Sequence, residues 1–257
     1  MRYIKFILFF FSISIFCQEK PKILSDILIR YNYESARDTT LVDKKSTEMM
    51  ILAVNKNYSS YYSDKYQQAL DHVRNKIAIS ANSNTVVEID GKDISMPKVR
   101  HSVYRKNNDI FVSSQVGRDL FTFQADFVNW NTNFSDTKNI LGYNCNKAQI
   151  LFNGRLYTAW YTKEISIADG PYRFKGLPGL ILFIEDEKGF DKFEAVSIEK
   201  KQIEITQLQK GIVVSKAQYI KKRDEYKQNP FPEKNISQQL RNQMIENQKR
   251  NNNTLEK

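Results

Sequence analysis

The chain has 257 residues, of which 41% are hydrophobic and 12% aromatic, and its formal charge is +10 at pH 7. A chain of this size buries roughly 70% of the surface its unfolded form exposes, which excludes wholesale disorder and leaves room for one large domain or two small ones. The basic balance suits anionic lipid headgroups or acidic polymers, while no helix-turn-helix, zinc-finger or RNP pattern points to nucleic acid.

The chain opens MRYIKFILFFFSISIFCQEK. Arg2 and Lys5 precede an uncharged apolar run over 6–16, the order that marks a secretory signal peptide. That run is too short to cross a hydrocarbon core of ~30 Å as a helix, so no permanent transmembrane anchor is expected. Cleavage is expected between Cys17 and Gln18, giving a signal peptide over 1–17, a β-rich domain over 18–214 and a basic helical extension over 215–257. Lipidation of Cys17 is the alternative, although Phe16 is not the small residue such a site needs before its cysteine. The expected address is the periplasm or the outer membrane and cell surface. Loss of Arg2 and Lys5 leaves 37 basic against 29 acidic residues, a charge of +8. Cys145 is then the only thiol, which rules out an intramolecular disulfide, and its apolar-alternating surroundings suit a small buried hydrophobe better than a nucleophile.

Alternation over 23–33 predicts an opening strand, with Leu28, Arg30 and Tyr31 blurring its phase. Asp-Thr-Thr at 38–40 reads as a turn, 48–54 as a compact strand, and 58–63 as a weakly alternating one. Leu70, Val73 and Ile77 give helical spacing over 64–79. A short strand at 86–89 ends at Asp90-Gly91. From Val99 onward SVYRK, DIFVSSQV and DLFTFQADF come as short bursts with polar breaks, the pattern of antiparallel strands on tight loops.

The stretch GYNCNKAQILF at 142–152 reads as a strand with Tyr143, Cys145, Lys147 and Gln149 on one face and Asn144, Asn146, Ala148 and Ile150 on the other. Asn153-Gly154 is a strong hairpin signal, since both residues tolerate positive φ; LYTAWYT follows, placing Trp160 opposite the first strand. The segment DGPYRFKGLPGLIL, 169–182, alternately restricts and frees the backbone through Gly170-Pro171 and Gly176-Leu177-Pro178-Gly179. Such a loop either runs close to a ligand or another backbone, or makes a tight turn and a bulge ahead of a strand over 180–184. Arg155, Asp169, Arg173 and Lys175 flank these loops, as a charged rim at a pocket mouth or as solvated surface. Strands over 193–200 and 203–208 follow. KAQYIKKRDEYKQ is helical and basic, NPFPE breaks it, Ile236, Leu240 and Met244 share a helical stripe, and the polar NQKRNNNTLEK reads as frayed.

GYNCNKA, followed by FNGRLYTAWYTKEISIADGPYRFKGLPGLILFIED, resembles the signature block of the GLPGLI family of exported bacterial proteins. The hexapeptide stands here as Gly176, Leu177, Pro178, Gly179, Leu180 and Ile181, preceded by Asp169, Gly170, Pro171, Tyr172 and Phe174; Gly142, Tyr143, Cys145 and Ala148 carry the strand part of the signature. The resemblance is dense over 126–200 and weaker over 23–64. Thr254 and Ser166 stand where that family often has proline. It implies a signal-peptide-bearing protein of Gram-negative envelopes and transfers no catalytic residue. The pattern around Trp160 is also distantly similar to periplasmic lipoprotein carriers, whose fold is an unclosed antiparallel barrel wrapped on a helix.

Only His72 and His101 occur, without HExxH or paired cysteines, so neither a His/Cys metal site nor a cofactor is expected. No G-x-S-x-G elbow or phosphate-cradling glycine pattern is present. A carboxylate pair from Glu185, Asp186 and Glu187 would more often be a solvated acidic turn. The fold expected is mainly β (α+β): a curved antiparallel sheet or unclosed barrel with one packed helix and a C-terminal helical extension. Its expected role is a non-enzymatic binding module, offering an apolar concave face rich in Phe121, Phe123, Phe127, Trp130 and Trp160 to a lipid, peptide or partner protein. Docking on an outer-membrane receptor is the alternative, and an envelope hydrolase using Asp169 is the third reading.

Overall fold

The structure, a computed structural model, describes residues 21–41, 43–83, 97–208, 210–230 and 236–256. The leader and the strand expected over 86–89 lie outside the described residues.

Alternating side chains build two antiparallel meanders. The first comprises β1 (Ile27–Ala36), β2 (Lys45–Val54), β3 (Tyr58–Ser63), β4 (His101–Lys106), β5 (Asp109–Val116) and β6 (Asp119–Ala125). The second comprises β7 (Thr137–Ile140), β8 (Tyr143–Phe152), β9 (Arg155–Thr162), β10 (Leu180–Asp186) and β11 (Asp191–Glu199). They join where β1 pairs antiparallel with β11, and β12 (Ile212–Val213) adds in parallel to β6. Among the described residues this makes one sheet of 12 strands in the order β12-β6-β5-β4-β3-β2-β1-β11-β10-β9-β8-β7, with its two ends unpaired. The expected mainly β, unclosed architecture is what forms.

The sheet curves, and the loop between β9 and β10 demonstrates it. Six strand spacings separate β4 from β9, which would put them roughly 29 Å apart in a flat sheet. Yet Tyr172 and Phe174 of one buried loop touch His101 of β4 and Tyr157 of β9, with ring centroids 4.9 and 5.0 Å apart. The sheet therefore wraps around the loop. Ile29, Tyr31, Met50, Leu52, Phe123 and Phe193 line the inner face.

The blurred phase of β1 has two causes. Its register against β11 shifts between Arg30 and Tyr31, and Leu28 belongs to a small second core on the outer face with Ile51, Ala53, Tyr62 and Ile205. That outer core accounts for the segment 203–208, expected as a strand. It makes only a bridge, Glu204 to Leu24, and lies across the outer face with Ile205 buried. Its apolar alternation serves to cover a patch without joining the ladder.

Three helices are described: α1 (Asp64–Ser83), α2 (Lys216–Gln228) and α3 (Gln238–Lys249). On α1, Leu70 and Val73 are half-buried, while Ile77 is exposed. Helix α2 begins with a capping box, Ser215 and Gln218 each satisfying the other's backbone N–H. It is seated by Tyr219, which stacks on Phe123 and donates to Ser114 Oγ at 3.0 Å. Helix α3 buries no residue, so the stripe expected through Leu240 and Met244 stays at the surface. The chain then returns to the protein interior, contrary to the frayed end expected: residues 251–256 lie as a strap across the inner face, and Glu256 is 4% exposed.

Candidate functional site

The loop 169–175 is buried at every residue. Gly176 N–H donates to the Ala168 carbonyl, and Phe174 N–H to that of Pro171 with Tyr172 at φ 51°, so the loop closes on itself. Phe174 becomes the hub of an aromatic cluster with Phe152, Tyr157, Tyr172 and Phe193. Trp130 covers it, donating Nε1–H to the Lys175 carbonyl at 2.9 Å. The concave apolar face expected to be open is thus filled by the chain's own loop. A bulge between Ile181 and Phe183 adjusts β10 against β9 as it leaves the loop.

The four charged residues expected at a rim or on solvated surface are interior: Arg155, Asp169, Arg173 and Lys175 are each 5% exposed or less. Asp169 accepts from Arg105 Nε at 2.7 Å, from its neighbour Gly170 N–H at 2.8 Å and from Lys175 Nζ. Burial pushes its carboxyl upward, but Lys175 and Arg105 outweigh that and hold it below the ordinary value. Arg105 spends its remaining donors on the carbonyls of Asn55, Lys56 and Asn107. Arg155 pairs with Asp191 at 2.9 Å, and Tyr33 donates to the same carboxylate at 2.7 Å. Asp186 also departs from the expected solvated acidic turn. It is buried and ties the β10–β11 turn by accepting from Lys188 and Asp191 N–H, whereas Glu185 and Glu187 are exposed. Paired in this way, with only Arg155 Nε among the atoms of these pairs buried and lacking a hydrogen-bond partner, these groups hold the loop and turns in place.

Arg173 makes a two-pronged contact with Glu256 of the strap, at 2.7 and 2.8 Å, where Tyr172 donates at 2.6 Å and Lys216 lies at 3.0 Å. Beside it opens a half-open cavity of about 410 Å³ between β4, β5, α2 and the strap. Tyr33, His101, Tyr172, Tyr219, Arg223 and Tyr226 are among its lining residues. Sequence reasoning did not anticipate this cavity, because its walls come from segments more than a hundred residues apart whose polar residues carry no local motif. Among the described residues no group of three or more His, Cys, Asp or Glu is placed to hold a metal, and no described helix is long and apolar enough to cross a membrane.

Half-buried His101 lines the cavity, and its Nε2 is buried without a hydrogen-bond partner. Burial lowers its pKa from 6.5 to about 4. An unfolded chain therefore holds more protons than the folded one between pH 6.5 and 4. Stability is expected to fall by on the order of 3 kcal/mol as pH drops through that window. Urea unfolding at pH 7 and pH 4.5 should show the loss, and His101→Phe, keeping a ring between Tyr61 and Tyr172, should flatten it.

Cys145 is fully buried, with its thiol pushed up to about 11 by burial. A thiol reagent at pH 8 should leave the folded chain, prepared without residues 1–17, unmodified and label it fully in urea; rapid labelling of that native chain would contradict the buried placement. Ala148 faces the core with Ile150 and Phe152, whereas Tyr143 is half-buried and Gly142, at φ 86°, forms the turn before β8. Trp160 pairs across from Lys147 and is half-buried, with Lys138 Nζ 5.9 Å from its ring, so it is not part of the cavity. In the hexapeptide, Leu177, Leu180 and Ile181 are core, while Gly176 and Pro178 are exposed. Asp169, Tyr172 and Phe174 lie inside the sheet with buried Gly170 and Pro171; of these loop residues Tyr172 alone lines the cavity.

Residues 56–224, more than half of the chain, match the family described as "N-glycanase peptide, N-terminal domain". The chain belongs to that family. This finding overturns the resemblance to the GLPGLI family. A search of curated proteins returns no match. Two solved structures of PNGF-II, in space groups P21 and C2, are similar in fold, with TM-scores of 0.53 and 0.51 at 17% and 16% identity. Each alignment covers 78% of this chain and 33% of PNGF-II, so the chain spans about a third of that protein's length.

Proposed function

We propose that this N-glycanase N-terminal-type domain is an exported, non-enzymatic binding module that takes a glycosylated peptide in the cavity between β4, β5 and α2. The observation that carries the reading is the lining itself. Tyrosine rings, the Arg223 guanidinium and the strap's amides offer the mixture of flat apolar faces and fixed hydrogen-bond donors that suits sugars and peptide groups. A lipid or other apolar ligand suits it less, because the apolar interior is already occupied by Phe174 and its neighbours. The family's description supports the choice of a glycosylated ligand. Export rests on the leader over 1–17.

The test is retention of N-glycosylated peptides, with their deglycosylated forms as controls, by the chain purified without its leader. Retention of the glycosylated form is expected, and Arg223→Ala should weaken it by roughly tenfold, the worth of one hydrogen bond to a charged group. Equal retention of both forms would refute the reading. Release of the glycan, seen as a mass change in the peptide, would replace it with an enzymatic one.

A further inference from the structure

We infer that Tyr172, Arg173 and Lys216 form a carboxylate-recognition site for an acidic peptide segment, and that residues 251–256 are its resident, displaceable occupant. The inference rests on reading the adjoining cavity as a binding site and adds what closes it. Three observations support it.

The first is the shape of the contact. Arg173 Nη1 meets both oxygens of Glu256, Tyr172 supplies a hydroxyl and Lys216 a second charge. Charge-assisted, water-poor contacts of this kind give carboxylate recognition both strength and direction. Burial disfavours the Glu256 charge, yet Arg173 and Tyr172 overcome it and hold the carboxyl below its ordinary value.

The second is that the occupant is read along its length as a peptide. Asn253 N–H donates to the Arg37 carbonyl at 3.2 Å and its side chain to Asp191 at 3.2 Å. Asn153 donates to the Leu255 carbonyl at 2.5 Å, Arg223 to that of Glu256, and Leu255 packs against the main core. These contacts suit a short Leu-Glu segment better than a free anion.

The third is that the strap hangs from a weakly seated helix. It is tethered through α3, which buries no residue and packs on α2. Asn253, Thr254, Leu255 and Glu256 also line the cavity, so their departure would enlarge it and uncover Arg173 and Lys216 together.

The test uses a fluorescent peptide of sequence Asn-Asn-Asn-Thr-Leu-Glu-Lys, read by anisotropy against the full chain and against a chain ending at Arg250. The shortened chain should bind the peptide at least roughly tenfold more tightly than the full chain, because a tethered occupant competes at an effective concentration on the order of millimolar. A peptide with Gln in place of Glu should bind the shortened chain roughly tenfold more weakly. A shortened chain that folds but ignores the peptide, or binds both peptides alike, overturns the inference. If the shortened chain does not fold, full-length Glu256→Gln decides: tighter peptide binding than by the unaltered chain supports the site, and no gain overturns it. Glycopeptide retention is measured separately on the full chain. Retention without any peptide effect removes the displaceable strap alone, and a peptide effect without retention removes only the glycopeptide reading.

Discussion

Asp169→Ala is expected to cost about 3–5 kcal/mol of stability, since it leaves two cations in the interior with no counter-charge. Asp169 has no exposed surface, and both Lys175 and Arg105 direct charge at it. Lys175, itself unexposed, would retain only the Gly170 carbonyl at 3.1 Å. For a domain of this size the loss corresponds to a melting temperature lower by about 10 °C. Urea titration of the purified variant measures it directly, and a change below about 1 kcal/mol would mean that the triad carries little of the fold. The result also bears on the hydrolase reading, in which Asp169 serves as an acid. Any activity lost in Asp169→Ala would follow from a collapsed loop, so that variant cannot serve as a catalytic control.

Gly179→Ala is expected to be the second severe change, costing roughly 3 kcal/mol or more. Gly179 adopts φ +151°, and a methyl group there would overlap the Thr162 carbonyl, with its carbon 2.7 Å away and Lys163 Cα at 3.2 Å. Both obstacles are backbone at the end of β9, so they cannot rotate aside. The neighbouring residue pairs Leu180 with Thr162, so relief must come from the β9–β10 register itself. Gly154→Ala is the matched control. Its φ is +80°, but nothing lies within 4 Å of the added carbon, leaving only the left-handed backbone penalty of about 1–2 kcal/mol. Parallel urea titrations should separate the two; equal losses would show that conformation, and not the close approach of β9, governs both glycines.

Much of the fold was legible because its signals are local. Asn153 and Gly154 have φ 49° and 80°, as the hairpin signal required, short apolar-polar bursts mark β4 to β6, β8 and β9, and a continuous apolar run marks β10. The helix over 216–228 begins where Ser215 and Gln218 can cap it. The site was not legible, for reasons that lie in long-range pairing. Arg173 and Asp169 look like solvated loop residues until Glu256 and Arg105 are known to meet them, 83 and 64 positions away. Segment 203–208 alternates like a strand but meets an outer patch created by Leu28 and Ile51. The polar end of the chain has no apolar residue except Leu255, so composition alone marked it as frayed, although Asn253 and Glu256 find partners in the interior.

The position of β1 has a consequence for how the molecule is made. It lies in the middle of the sheet, hydrogen-bonded on one side to β2 and on the other to β11, whose residues come some 160 positions later. The first meander can zip up as it emerges, but β1 must then wait with one edge bare until about three quarters of the chain has been delivered. Closing so large a loop is slow, and an open edge invites pairing with other chains. Assembly should therefore be rate-limited by arrival of 191–199, and chains interrupted before that point should be the aggregation-prone species.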